Sequence, residues 1–175
     1  MTGFLGRSPG SPATDQDLLL IATTPTLRLV GPRGMYSNVS GPLQSLSPLA
    51  PLTHLQHLFV TFCEVESIAG IENLTALKSL FIHNNRITSL QPLNGLTHLE
   101  ELYCQDNRIA SLFPLQSCHR LKILHCQYNS LKNLRGLTRV HAQSMQRLIC
   151  LPNEQLDMTE IARIEQEIGI RCQKE

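Results

Sequence analysis

From Leu52 to Thr138 the apolar residues fall at intervals that repeat every 22 residues, through four copies. Numbered 1 to 22, nearly every copy is apolar at positions 1, 4, 7, 9, 14, 17 and 20, and position 12 is Asn or Cys. The copies open Leu52-Thr-His-Leu55, Leu74-Thr-Ala-Leu77, Leu96-Thr-His-Leu99 and Cys118-His-Arg-Leu121. Apolar residues at 7 and 9 alternate at period two, which predicts a short strand with one buried face. Stacking the copies makes those strands parallel neighbours about 4.8 Å apart. Their inward side chains then form columns, Leu58/Leu80/Leu102/Leu124 and Val60/Ile82/Cys104/Cys126.

The remaining positions complete the coil. Asn85, Asn107 and Asn129 stand where the chain leaves each strand, and their amides are expected to satisfy turn backbone that would otherwise be buried unpaired. Cys63 holds that place in the first copy, as a weaker substitute. The back of each coil carries Ser followed three residues later by Pro or Gly, as in Ser45-Leu-Ser-Pro48 and Ser89-Leu-Gln-Pro92. Such segments suit a turn or a single 3-10 turn.

Outside the repeats the pattern weakens. Residues 1–17, rich in Gly, Ser, Pro and Thr, read as a disordered lead. Residues 18–51 read as an N-terminal cap and a degenerate first repeat. Thr26-Leu-Arg-Leu-Val30 has strand spacing, followed by an insertion from Gly31 to Gly41 that carries turn-forming Pro32 and Gly34. An ungapped frame would bury Asn38 at position 9, so the insertion is preferred. Residues 52–139 hold the four regular repeats, and 140–175 a last degenerate repeat and a capping helix. The register slips by two residues after Thr138, which predicts another strand at Leu148–Cys150 with Asn153 at position 12. Asp157-Met-Thr-Glu160 resembles a capping box, and Ile161, Ile164 and Ile168 predict an amphipathic helix over 158–168 ending at Gly169. That helix is expected to cover the last coil, with binding a partner as the alternative use of its face.

Charge and composition narrow the function. Fifteen basic and 14 acidic residues leave no electrostatic footprint for nucleic acid. No apolar run approaches the ~20 residues that span a bilayer, and Leu18–Ala22 is too short for an export signal. The six cysteines are therefore expected to be reduced thiols in a cytoplasmic protein, with a nuclear or cytoskeletal site as the alternative. Cys118, His119, His125 and Cys126 look like zinc ligands as text. The frame separates them, since Cys126 points into the core and His125 out of the opposite face. No catalytic group, metal site or cofactor is expected.

The concave positions carry the functional signal. Position 8 reads Phe59, Phe81, Tyr103, His125; position 10 includes His83, Gln105 and Gln127; position 11 includes Phe62, Asp106 and Tyr128. Five of the eight Phe and Tyr residues thus project from one sheet face, which predicts a protein-binding surface on an otherwise monomeric chain. The competing reading is an aromatic ladder that only stiffens the sheet. Position 5 (Gln56, Lys78, Glu100, Lys122) reads as a structural charge ladder.

The phrase L-x-x-L-x-L-x-x-N/C is the signature of leucine-rich repeats. Its 22-residue length, and phrases such as Leu80-Phe-Ile-His-Asn-Asn85-Arg-Ile87-Thr-Ser-Leu90, resemble the subclass found in the phosphatase-1 regulatory subunit, the leucine-rich light chain of axonemal dynein and bacterial internalins. The resemblance implies an α/β leucine-rich repeat solenoid with a parallel concave sheet, convex turns or 3-10 segments, and a C-terminal capping helix. It implies a protein-interaction scaffold. A phosphatase-regulatory subunit and an axonemal or cytoskeletal adaptor remain alternatives.

Overall fold

Each period-two stretch becomes one short strand, and the strands stack in the order of the sequence. The computed structural model describes residues 22–39, 42–43 and 45–173. Among them one parallel sheet holds β1 (Thr26–Val30), β2 (His57–Thr61), β3 (Ser79–Phe81), β4 (Glu101–Tyr103), β5 (Ile123–His125), β6 (Arg147–Ile149) and β7 (Cys172–Gln173). The expected disordered lead at 1–17 lies outside the described residues. Leu27, Leu58, Leu80, Leu102, Leu124, Leu148 and Cys172 align across the sheet, so the register slip after Thr138 realigns on Leu148.

Apolar columns hold the stack together. Leu58, Leu80, Leu102 and Leu124 are fully buried, as are Val60, Ile82, Cys104, Cys126 and Cys150. Each fully buried Leu, Ile or Val contributes about 1.5–3 kcal/mol. Burial pushes the Cys63 and Cys118 thiols up to about 11 and the Cys104 thiol up to about 12, so these sulfurs behave as small apolar groups.

Position 12 stitches neighbouring coils through hydrogen bonds. Asn85 Nδ2 donates to the carbonyls of Val60, Ile82 and His83, while its Oδ1 accepts from the amides of Cys63 and Val65. Asn107 and Asn129 repeat the arrangement one and two coils further on. At Cys63 the thiol donates to Leu29 O at 3.4 Å and Thr61 O at 3.2 Å, which reproduces part of the pattern. Backbone groups that no helix or strand would satisfy are thereby paired.

On the convex side, Pro-containing segments form 3-10 turns at Ser47–Leu49, Gln91–Leu93 and Phe113–Ser117. The insertion after β1 has a structural task. Asn38 Oδ1 accepts from Val30 N–H and Nδ2 donates to Arg28 O, both at 2.7 Å, closing the outer edge of the first strand. Gly31 permits this path, because a Cβ there would lie 1.8 Å from Phe62 O.

The C-terminal end departs from expectation in three ways. Asp157 caps the helix by accepting from Thr159 N–H at 2.8 Å. Glu160 does not return the bond to Asp157. Its Oε2 accepts from Leu134 N–H at 3.0 Å and its carboxylate pairs with Arg163, because the backbone of the last coil offers it a buried donor. Secondly, only Met158–Arg163 (α1) is α-helical, and Ile164–Ile168 continues as a π-turn closed by Gly169 at φ +88°. Ile164 O accepts from the amides of both Gly169 and Ile170, which swings the chain back toward the sheet. Thirdly, that return forms β7, a strand the sequence pattern did not announce. Ile161, Ile164 and Ile170 are buried beneath this cap and Ile168 packs at its margin.

Candidate protein-binding face

Parallel stacking places successive position-8 residues one above another on the concave face. Phe59 and Phe81 stack with centroids 4.2 Å apart and planes 6° apart, and Phe81 and Tyr103 at 4.5 Å and 8°. His125 continues the stack at 4.6 Å, tilted by 55°. Arg28 lies in the same register, its guanidinium 4.0 Å from the Phe59 centroid. Sequence reasoning missed Arg28, although carrying the frame back from Leu27 and Leu29 puts it at position 8. At the other end the ladder meets Ile149, itself buried.

In this geometry the rings bury against one another. Their faces cover one another and leave the edges exposed, so Phe59, Phe81, Tyr103 and His125 are all half-buried. Burial, assisted by Glu101 nearby, pushes the Tyr103 hydroxyl above its ordinary pKa.

The other predicted site residues divide by depth. Phe62 meets His83 edge to face at 5.7 Å, and His83 shares a 2.9 Å hydrogen bond with Asn84. Burial lowers the His83 pKa, against the opposing pull of Asp106. Gln105 is half-buried and Asp106 exposed. Gln127, placed on the presented face by its position, is instead only 2% exposed. Being on the concave side decides direction alone, whereas access also depends on what neighbouring side chains cover. Tyr128 is the most open of the concave-face aromatics, at 49%.

Position 11 has a property invisible in the hydrophobic pattern. Phe62, Asn84, Asp106 and Tyr128 all adopt the left-handed backbone conformation, with φ between +55° and +57°. Asn and Asp tolerate it, but a bulky aromatic does so at a cost of about 1–2 kcal/mol. Beside Phe62 lies a recess of about 250 Å³ lined by Arg33, Phe62, Glu64, Asn84, Asn85, Arg86 and Asp106. Glu64 spans two arginines there, Arg86 at 2.7 Å and Arg33 at 3.6 Å. At position 5, Lys122 and Glu100 pair at 2.7 Å, as the charge ladder implied, and this bond holds the Glu100 carboxyl below its ordinary pKa.

The residues that read as zinc ligands are separated by the sheet. Cys126 is buried in its column while His125 stands in the concave stack. Cys118 is buried and its thiol faces Leu93 O at 3.7 Å. No group of three or more His, Cys, Asp or Glu able to hold a metal occurs among the described residues. None of the helices they form is long and apolar enough to cross a membrane.

A coiled parallel sheet with an asparagine ladder and an open, aromatic-lined inner face defines a leucine-rich solenoid. The family model described as leucine-rich repeats in two copies matches residues 53–95, 75–114 and 97–139, and the chain is a leucine-rich repeat protein. It is similar to an internalin (inlF) from Listeria monocytogenes, at 28% identity over 76% of this chain and a TM-score of 0.67. A second internalin of that organism (inlC2) is 27% identical over 65% of this chain, with a TM-score of 0.57. A leucine-rich repeat protein of Leptospira interrogans shares the fold at 21% identity over 84% of this chain, with a TM-score of 0.65. The chain spans 39%, 48% and 37% of the lengths of these three, less than half of each. No curated protein sequence matches it.

Proposed function

We propose that this protein is a non-catalytic scaffold that captures a partner protein on its concave face. Solenoids of this kind present extended concave surfaces to their partners. The observation that carries the reading is Tyr128, a half-exposed aromatic held in a left-handed backbone conformation. The fold fills the equivalent turns with Asn84 and Asp106, so an aromatic is not required for the turn. Strain retained at an exposed side chain points to use of that side chain. Phe62 repeats the choice beside the recess, and the position-8 stack between them supplies a continuous apolar strip.

The two uses of the strip, stiffening and binding, predict different variants. Interface energy concentrates in a few aromatic anchors, each worth about 2 kcal/mol or more on truncation. Phe81→Ala combined with Tyr103→Ala should abolish capture of a partner that binds the parent chain, while the circular dichroism spectrum remains that of the folded chain. Tyr128→Asn should weaken capture and raise the melting temperature, since it removes the strain along with the anchor. Gln91→Ala and Gln116→Ala on the convex side should leave capture intact. Normal capture by both aromatic variants would refute the concave reading, and unfolding of the double variant would assign the stack to stability.

A further inference from the structure

Arg28 stands at the N-terminal end of the concave aromatic strip, in register with Phe59 on the neighbouring strand. Its guanidinium sits over the Phe59 ring, 4.0 Å from the centroid, while Phe81 covers the ring from the next strand. A guanidinium set over a ring gives it a cation and keeps an N–H fork able to bind a carboxylate. The side chain is exposed, so that fork is open to solvent. The backbone beneath it is fixed, because Arg28 O accepts from Asn38 Nδ2 at 2.7 Å and β1 pairs with β2 over five residues. Arg28 is therefore a held cation at the border of an apolar surface.

Charge changes sign along the strip. Phe59, Phe81 and Tyr103 follow Arg28 at centroid separations of 4.2 Å and 4.5 Å. Tyr103 is flanked by carboxylates, with Glu101 two residues earlier on β4 and Asp106 exposed in the turn that follows. Glu100, on the same coil, is already answered by Lys122 at 2.7 Å. A carboxylate on a partner is thus attracted at the Phe59 end and repelled at the Tyr103 end. We propose that Arg28 is a carboxylate anchor for a partner protein, which lays an Asp or Glu on the guanidinium and apolar side chains along Phe59, Phe81 and Tyr103. This inference rests on the concave reading above and narrows the partner to a segment with an acidic residue at one end of an apolar run. Three strand spacings separate Arg28 from Tyr103, about 14 Å. About four residues of extended chain cover that span, or about nine of helix.

The placement favours binding in two ways. The contact with Phe59 orients the guanidinium before a partner arrives, so less side-chain freedom is lost on association. Apolar side chains seated on the adjoining rings exclude water, which strengthens the charge pair beside them. Arg is suited to this position because it is weakly hydrated and meets a carboxylate through two parallel hydrogen bonds. Covering the end of the stack requires no charge, since an aliphatic side chain such as Met would shield Phe59 equally well. That difference separates an anchor from a structural cap.

The test uses the full chain and a phage-displayed library of random linear peptides. Peptides enriched on the parent chain are sorted by whether they lose binding to the Phe81→Ala, Tyr103→Ala chain, with folding checked by circular dichroism. Should that pair unfold, Tyr103→Ala alone serves. The peptides that lose binding should share an acidic residue at one end of an apolar run, and its spacing reports extended chain or helix. One of them, synthesised with a fluorescent label, is then measured by anisotropy. Arg28→Met should weaken its binding about tenfold or more, and replacing the peptide's acidic residue by its amide should do the same. The two changes together should cost little more than either alone, because they remove one contact. Peptides that need Tyr103 but bind the Arg28→Met chain as tightly as the parent would overturn the anchor and leave the concave reading standing, as would fully additive losses. Enriched peptides indifferent to the ring substitutions, or no enrichment at all, would overturn the concave reading and the anchor with it.

Discussion

At the scale of single residues, the polar side chains of Asn107, Asn153 and His141 tie the stack together through hydrogen bonds. Asn107 Nδ2 reaches three carbonyls in two coils and its Oδ1 receives Ile87 N–H at 2.9 Å. Asn107→Ala leaves several of these groups unpaired, a loss of about 1–3 kcal/mol. By position alone Asn153, in the last coil, should cost less because water can enter. The structure reverses that order. Asn153 is 6% exposed beneath the cap, accepts from the amides of Asn129 and Leu131, and donates to Cys126 O and Cys150 O. Denaturant melts should therefore show Asn153→Ala costing at least as much as Asn107→Ala. His141 is the third such residue. It is fully buried, its Nδ1 accepts Thr138 N–H at 3.1 Å, and its Nε2 donates to Leu115 O at 3.1 Å. Burial lowers its pKa from 6.5, so the folded chain binds that proton less tightly than the unfolded chain. The stabilisation is complete above the unfolded value and is lost as pH falls through the folded one. The melting temperature should drop as pH falls below 6.5, and His141→Gln should flatten part of that slope. His83, shifted in the same direction, accounts for a further share.

At the scale of elements, what could be read from the chain depended on how many residues repeat a signal. Strands β2 to β5 recur at 22-residue spacing in copies that each carry inward residues at positions 7 and 9, and β6 was recovered by shifting that frame. Strand β7 offers one inward side chain, Cys172, and no partner copy in which to recognise it. The cap shows the same division. Ile161, Ile164 and Ile168 announce a helical face, but α and π windings share that apolar pattern and only Gly169 and the returning chain distinguish them. The concave site was legible as a list of positions. The left-handed turn at position 11, the stacking of the rings and the burial of Gln127 were not, since these depend on backbone geometry and on neighbouring coils. Glu160 illustrates a local motif overruled by a tertiary donor. Glu160→Ala should expose the Leu134 amide as an unsatisfied group and release Arg163, lowering stability by about 1–2 kcal/mol. Glu160→Gln, which keeps an acceptor for Leu134, should recover much of the loss in thermal melts.

At the scale of the whole molecule, a solenoid is a one-dimensional stack in which each coil is stabilised by its two neighbours, and an uncovered last coil has lost one of them. At the N-terminal end, Asn38 pairs with backbone groups on the outer edge of β1. At the C-terminal end Leu134, Leu148 and Cys150 would all meet water without a cover. Residues beyond Leu151 supply the cover in apolar and polar forms together. Leu156, Ile161, Ile164 and Ile170 bury against the last coil, Glu160 takes Leu134 N–H, and Arg139 Nε donates to Glu167 O at 3.0 Å. Strand β7 then extends the sheet by one more parallel pairing. Deleting residues 157–175 removes all of these except Leu156. Such a loss of a few kcal/mol should lower the melting temperature by about 5–10 °C, given about 2–4 °C per kcal/mol in a chain of this size. It should also reduce solubility, since the exposed end presents an apolar face and the unpaired edge of β6. Because coils communicate only through neighbours, the concave stack from Phe59 to Tyr103 should survive in the truncated chain at low temperature. A truncated chain that melts with the parent would show that the C-terminal segment covers nothing, and one with no folded state at any temperature would show that the stack depends on its end more strongly than a nearest-neighbour coupling allows.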